Sequence, residues 1–137
     1  MSRFWVHEDA IADLEGIWEI HAKSAAYIQA LLEQLAADAD LRDRLTQEDF
    51  GVPGLHPFHV DPVAEHQDEG RNIWRLKVWK ADKTLRYRII YAYDHTKDTY
   101  CVLGVLPRNF TYDSSSERVR EIVARYDELG IARLPRH

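Results

Sequence analysis

Side chains alternate between two faces in three successive runs between Asn72 and Asp113. A period of two is the signature of a strand, because neighbouring side chains leave an extended backbone on opposite faces. In the first run Trp74, Leu76 and Val78 point one way and Arg75, Lys77 and Trp79 the other. In the second, Leu85, Tyr87, Ile89, Tyr91 and Tyr93 oppose Arg86, Arg88, Ile90 and Ala92. The third, Tyr100 to Pro107, is apolar on both sides. With Ala81 to Thr84 and Asp94 to Asp98 as turns, the runs predict an antiparallel β-meander.

Ahead of the meander the period changes to three and four. A short strand, Arg3 to His7, leads into a helix that Asp9 can cap, and Ile11, Leu14, Ile17, Trp18, His21, Ala25, Ile28, Leu32 and Leu35 form a stripe to be buried. Gly16 and the Lys23-Ser24 junction are candidate breaks, so the segment reads as a helical hairpin whose second arm runs from about Ser24 to Leu45. Glu33, Asp38, Asp40 and Asp43 lie off the stripe and read as a solvated face rather than a metal site. From Phe50 to Gly70 no period survives, and a long irregular connection is expected. Past the meander, Ser114 and Glu117 have capping-box spacing, and Val119, Ile122, Val123 and Tyr126 make the stripe of a helix ending near Gly130. Ile131 to His137 reads as a frayed tail. The expected fold is α+β: an N-terminal strand and helical hairpin packed on an antiparallel β-meander, with a C-terminal helix, in a single domain over residues 1–137.

Charge sharpens this picture. The net formal charge is −5, but residues 1–69 hold 4 Lys+Arg against 15 Asp+Glu, whereas residues 70–112 hold 9 against 3. The strands are basic and the helices acidic, and screening over roughly 8–10 Å at physiological salt lets a basic patch act locally. The one cysteine, Cys101, sits in an apolar run, which excludes a disulfide framework and suits a reducing interior. The amino-terminal segment has no basic region followed by an apolar stretch, and no apolar run is long enough to cross a bilayer, so a cytoplasmic protein is expected.

Candidate chemistry follows from the cations. There is no P-loop, no G-x-S-x-G and no G-x-G-x-x-G, so nucleotide-dependent and serine-hydrolase chemistry have no support. His56, His59 and His66 include an H-x-x-H pair, but without a cysteine or a helical pattern they read as no metal site. One of them could serve as an acid or base, since imidazole titrates near neutrality. Arg75, Lys77 and Arg88 on alternate strand positions, with Arg108 and Tyr112 just past the last strand, suit a phosphate-bearing partner. Trp79, Lys80 and Arg86 are the candidate nucleic-acid contacts, Trp79 as a stacking platform and Trp74 as a core residue.

The segments W-R-L-K-V, Y-R-I-I-Y and V-L-G-V-L-P-R followed by Tyr112 resemble, in that order, the core of the RelE/ParE superfamily of toxins from bacterial type II toxin-antitoxin systems. The resemblance implies a metal-independent, cofactor-free messenger-RNA endoribonuclease acting on the ribosome. It implies catalytic roles for Arg75, Lys77, Arg88, Arg108 and Tyr112, and a cognate antitoxin that covers the cationic site. Because arginine stays protonated, Lys77, Tyr112 or a histidine not placed by motif must handle protons. Two alternatives stay open: a ParE-like poison of DNA gyrase that cuts nothing, which the A-x-x-D-L-x-x-I pattern from Ala10 to Ile17 also suits, and a non-toxic module that binds an acidic peptide.

Overall fold

The computed structural model describes residues 2–80, 83–109 and 116–135. In chain order these form β1 (Arg3–Val6), α1 (Glu8–Ile20), α2 (Ala22–Ala37), the single turn α3 (Ala39–Arg42) and a 3₁₀ turn, Asp43–Thr46. Then come β2 (Phe58–Pro62), the short α4 (Ala64–Asp68), β3 (Ile73–Lys80), β4 (Lys83–Asp94), β5 (Thr99–Pro107) and α5 (Glu117–Glu128). The strands make one mixed sheet in the order β1-β5-β4-β3-β2, with β1 parallel to β5 and every other pair antiparallel. The α+β class and the meander agree with the period-two runs.

Alternation assigns each face its cover. Phe58, Val60, Trp74, Leu76, Val78, Leu85, Tyr87, Ile89, Tyr91, Tyr100 and Val102 point toward the α1-α2 hairpin and share one core with Leu14, Ile28, Leu32 and Leu35. On the other face Ile73, Ile90, Ala92, Cys101, Leu103 and Leu106 form a second, smaller core with Ile122 and Tyr126 of α5. This is why β5 can be apolar on both sides: it is the strand sandwiched between two helical layers. Burial pushes the Cys101 thiol up to about 12, so it is an inert core group.

Several expectations are corrected. The connection from Phe50 to Gly70 contains β2, whose Phe58 and Val60 point into the hairpin core, and α4. Only two apolar residues alternate there, which is too few to stand out among prolines and glycines. The first helix is capped by His7, whose Nδ1 accepts from the Asp9 N–H, not by Asp9. The hairpin turns at His21 instead of Lys23-Ser24, and α2 stops at Ala37, where Asp38 accepts from the Leu41 N–H and starts a new turn. Ile11 and Trp18, counted in the buried stripe, are exposed and line a groove with Phe4 and Trp5. His21 is exposed as well. The stretch from Ile131 to Pro135 is tied down: Leu134 donates its N–H to Gly70, the Tyr126 hydroxyl donates to Ala132, and Arg133 reaches the Glu69 carbonyl. Ser114, of the expected capping box, and Ala81 and Asp82, of the first turn, lie outside the described residues. No helix among the described residues is long and apolar enough to cross a membrane.

One carboxylate ties the three layers together. Beyond the short β1 the outer edge of β5 has no strand partner among the described residues, and Asp13 of α1 accepts the Val105 N–H at 2.9 Å and Arg118 of α5 at 2.7 Å. Gly104 leaves the room: a Cβ there would lie 3.1 Å from Arg118 and 3.3 Å from Asp13. Asp13→Ala strands both donors and is expected to cost about 1–3 kcal/mol in urea unfolding; an unchanged midpoint would contradict this role.

His66 gives the fold a pH dependence. It is 6% exposed, its Nδ1 has no hydrogen-bond partner among the described residues, and burial holds its pKa below the ordinary 6.5. The unfolded chain therefore binds the proton more readily than the folded one, so this contribution is complete above pH 6.5 and shrinks as the pH falls. Urea midpoints should drop between about pH 7 and about pH 5, and His66→Leu should flatten that slope.

Candidate nucleic-acid interface

The α5 face of the sheet is divided. Ile73, Ile90, Ala92, Cys101, Leu103 and Leu106 lie under α5, while the same face of β2, β3 and the first half of β4 carries His59, Asp61, Arg75, Lys77, Trp79, Arg86 and Arg88. Arg75, Lys77 and Arg88 are thus brought together on one face. Lys77 and Arg88 are direct cross-strand partners, an arrangement that costs stability between like charges unless an anion lies between them. Trp79 is half-buried, with its ring 5.8 Å from that of His59. Lys80 is separated from this group: its parity turns it to the hairpin face, where its ammonium sits 5.2 Å from the Tyr27 ring.

The cations also meet carboxylate, which the strand runs themselves did not foretell. β2 adds Asp61, whose Oδ2 lies 3.8 Å from the Lys77 ammonium. Its Oδ1 lies 3.5 Å from His59 Nε2, and Asp49 approaches the same nitrogen at 3.8 Å. His59 Nδ1 is 3.0 Å from the Gly51 carbonyl oxygen. Gly51 has φ +119, and a Cβ there would collide with the Phe58 carbonyl, so only glycine brings the loop this close. Asp49, His59 and Asp61 are the one group of histidine and carboxylate ligands among the described residues that could hold a cation. The three histidines considered from the sequence are apart: His56 packs on Phe50, His59 joins Asp61, and His66 is buried.

A second neighbourhood lies where β4 outruns β5. The pairing of β3 with β4 shifts so that four residue steps of β4, from Arg88 to Thr84, match two steps of β3, from Lys77 to Trp79. An excess of two preserves alternation, so Arg86 stays on the face of Arg88. Arg88 Nη1 donates to the Leu85 and Tyr87 carbonyls in this irregular stretch, at 3.0 and 3.2 Å. The Arg108 N–H donates to the Arg86 carbonyl at 2.6 Å, placing the two arginines side by side. Both are exposed and line a cavity of about 360 Å³ with His21, Tyr87, Pro107 and Asn109. Within it, His21 Nδ1 and the Tyr87 hydroxyl are 2.5 Å apart.

The sequence offered no means of finding this pair, because His21 looked like one more stripe position and lies 66 residues from Tyr87. Asp61 was hidden with β2. Tyr112 lies outside the described residues.

Arg88 therefore has a structural role beside its charge, whereas Arg108 is exposed. Arg88→Ala is expected to lower stability by about 1–3 kcal/mol and Arg108→Ala by less than about 0.5 kcal/mol in chemical denaturation. Equal effects would contradict the assignment. Comparison of the chain with family models, with curated proteins and with solved structures finds no match in any of the three.

Proposed function

We propose that the chain is the toxin of a type II toxin-antitoxin pair, a metal-independent endoribonuclease that cuts messenger RNA on the ribosome. The observation that carries the reading is the cationic half-face: Arg75, Lys77, Arg86 and Arg88 share one face of β3 and β4, and Arg108 stands at its end. The sequence likeness to RelE-type toxins supports the same conclusion through the order of its strand motifs.

The chemistry needs these groups. When a ribose 2′-oxygen attacks the neighbouring phosphorus, negative charge grows on the non-bridging oxygens, and fixed guanidinium and ammonium groups stabilise it without reorganising. The strands hold them rigidly, which matters because electrostatic stabilisation depends on groups placed before the charge develops. Trp79, half-buried on the same face, offers a surface for a base. The acidic α1-α2 hairpin disfavours anions on the opposite side of the sheet, and the antitoxin this reading requires would cover the cationic face.

Purified protein added to translating ribosomes should release messenger fragments with 5′-hydroxyl ends, and Lys77→Ala or Arg108→Ala should slow the cut by about 10²–10³-fold. The same protein should leave gyrase supercoiling untouched. Inhibited supercoiling with intact RNA would replace the reading with the gyrase-poison alternative; inactivity in both assays, with no growth arrest on expression, would favour a binding module.

A further inference from the structure

We infer that His21 is the catalytic base of the RNA-cutting site, with Tyr87 as its positioning residue and Arg86 and Arg108 as the clamp on the scissile phosphate. The inference rests on the endoribonuclease reading and assigns the proton transfer that the strand motifs leave open.

Four features of the cavity carry it. Its size, about 360 Å³, suits one nucleotide unit. Its described lining includes Arg86 and Arg108 and no carboxylate residue, so among the described residues its charge favours an anion. The backbone hydrogen bond from Arg108 to Arg86 sets the two arginines on neighbouring backbone positions, from which both side chains can reach the oxygens of one phosphate. Last, it contains an exposed imidazole whose orientation is set by a buried phenol: Tyr87 is 7% exposed and held in the hairpin core, and its hydroxyl lies 2.5 Å from His21 Nδ1.

The position of His21 fits the role. It is the junction of α1 and α2, capping both helices with backbone rather than side-chain groups: its N–H donates to the Ile17 carbonyl, and its carbonyl accepts from the Ala25 N–H. The ring is thereby spared for chemistry. The described titratable groups around it in the cavity are Tyr87, Arg86 and Arg108.

In the tautomer that works, Nδ1–H donates to the Tyr87 oxygen and Nε2 keeps its lone pair. Nε2 takes the proton of the ribose 2′-hydroxyl, and the 2′-oxygen forms a bond to phosphorus. The bond from phosphorus to the 5′-oxygen breaks, its electron pair leaves with that oxygen, and the oxygen takes a proton from water. The products are a 2′,3′-cyclic phosphate and a 5′-hydroxyl. The proton on His21 then returns to solvent, so the step consumes no co-reactant.

Two measurements test this separately from the reading beneath it. In the first, the ring signals of His21, identified by their loss in His21→Gln, are followed by NMR while the purified protein is titrated with a dinucleotide whose attacking ribose is 2′-deoxy. The signals should move and the His21 titration midpoint should rise, because a bound phosphate favours imidazolium; both effects should vanish in the Arg86→Ala, Arg108→Ala double variant. Unmoved ring signals at saturation overturn the site whether or not the protein cuts RNA. In the second, single-turnover cleavage on ribosomes should fall about 10²–10⁴-fold in His21→Gln, with loss of the acidic limb of the pH–rate profile. Tyr87→Phe should lower the rate constant more than it raises KM and shift that limb. A His21→Gln protein that keeps the wild-type rate and profile overturns the inference while leaving the endoribonuclease reading intact. Wild-type protein that cuts nothing removes that reading, and the NMR titration alone then decides whether the cavity is a phosphodiester site.

Discussion

Lys77 faces Arg88 across the β3-β4 ladder on the sheet face that packs α5. That single juxtaposition condenses the physics of the molecule. A helix of 12 residues is about 18 Å long and about 10 Å wide, whereas five strands spaced about 4.8 Å apart, some of 8 to 12 residues, present a far larger surface. The α1-α2 hairpin covers one side; α5 can cover only part of the other. What lies outside it must be polar, and here it is cationic.

The same division separates stability from function. Under α5 the sheet contributes apolar packing, and the Asp13 carboxylate links α1, the edge of β5 and Arg118 of α5 into one assembly. Outside α5 the residues that pay for nothing in packing terms accumulate: two like charges opposite each other, a half-buried tryptophan, and exposed arginines at the end of β4 and β5. Asp61 from the edge strand offsets Lys77 only at 3.8 Å, and Arg88 spends part of its guanidinium on carbonyls of the shifted β4 stretch. The patch is thus partly tempered, which keeps a cationic surface compatible with a folded sheet in a chain of net charge −5.

Much of this was legible before any coordinates. Alternation alone identified the meander and placed Trp74, Leu76 and Val78 opposite Arg75, Lys77 and Trp79, because the period of a strand assigns faces without reference to its neighbours. The same parity puts Lys80 on the hairpin face over Tyr27, although the sequence analysis groups it with Trp79 and Arg86 as a nucleic-acid contact. Hidden were the features that depend on long-range pairing. β2 is too short to show a period, so the arrival of His59 and Asp61 beside Lys77 had no local signal. His21 and Tyr87 belong to different elements, and only the docking of the hairpin onto β4 brings imidazole and phenol together. The tie of the tail to Gly70 and Tyr126 likewise depends on backbone hydrogen bonds that composition does not record.

The central claim is that the cationic half-face bearing Lys77 is an anion site that takes a phosphate group. Thermal unfolding in increasing inorganic phosphate, with ionic strength held constant by chloride, tests it most directly, since a ligand that binds only the folded state raises the midpoint according to its occupancy. The account predicts a saturating rise for the wild-type protein that is lost in Lys77→Ala. A midpoint indifferent to phosphate, or an identical rise in both proteins, would contradict it.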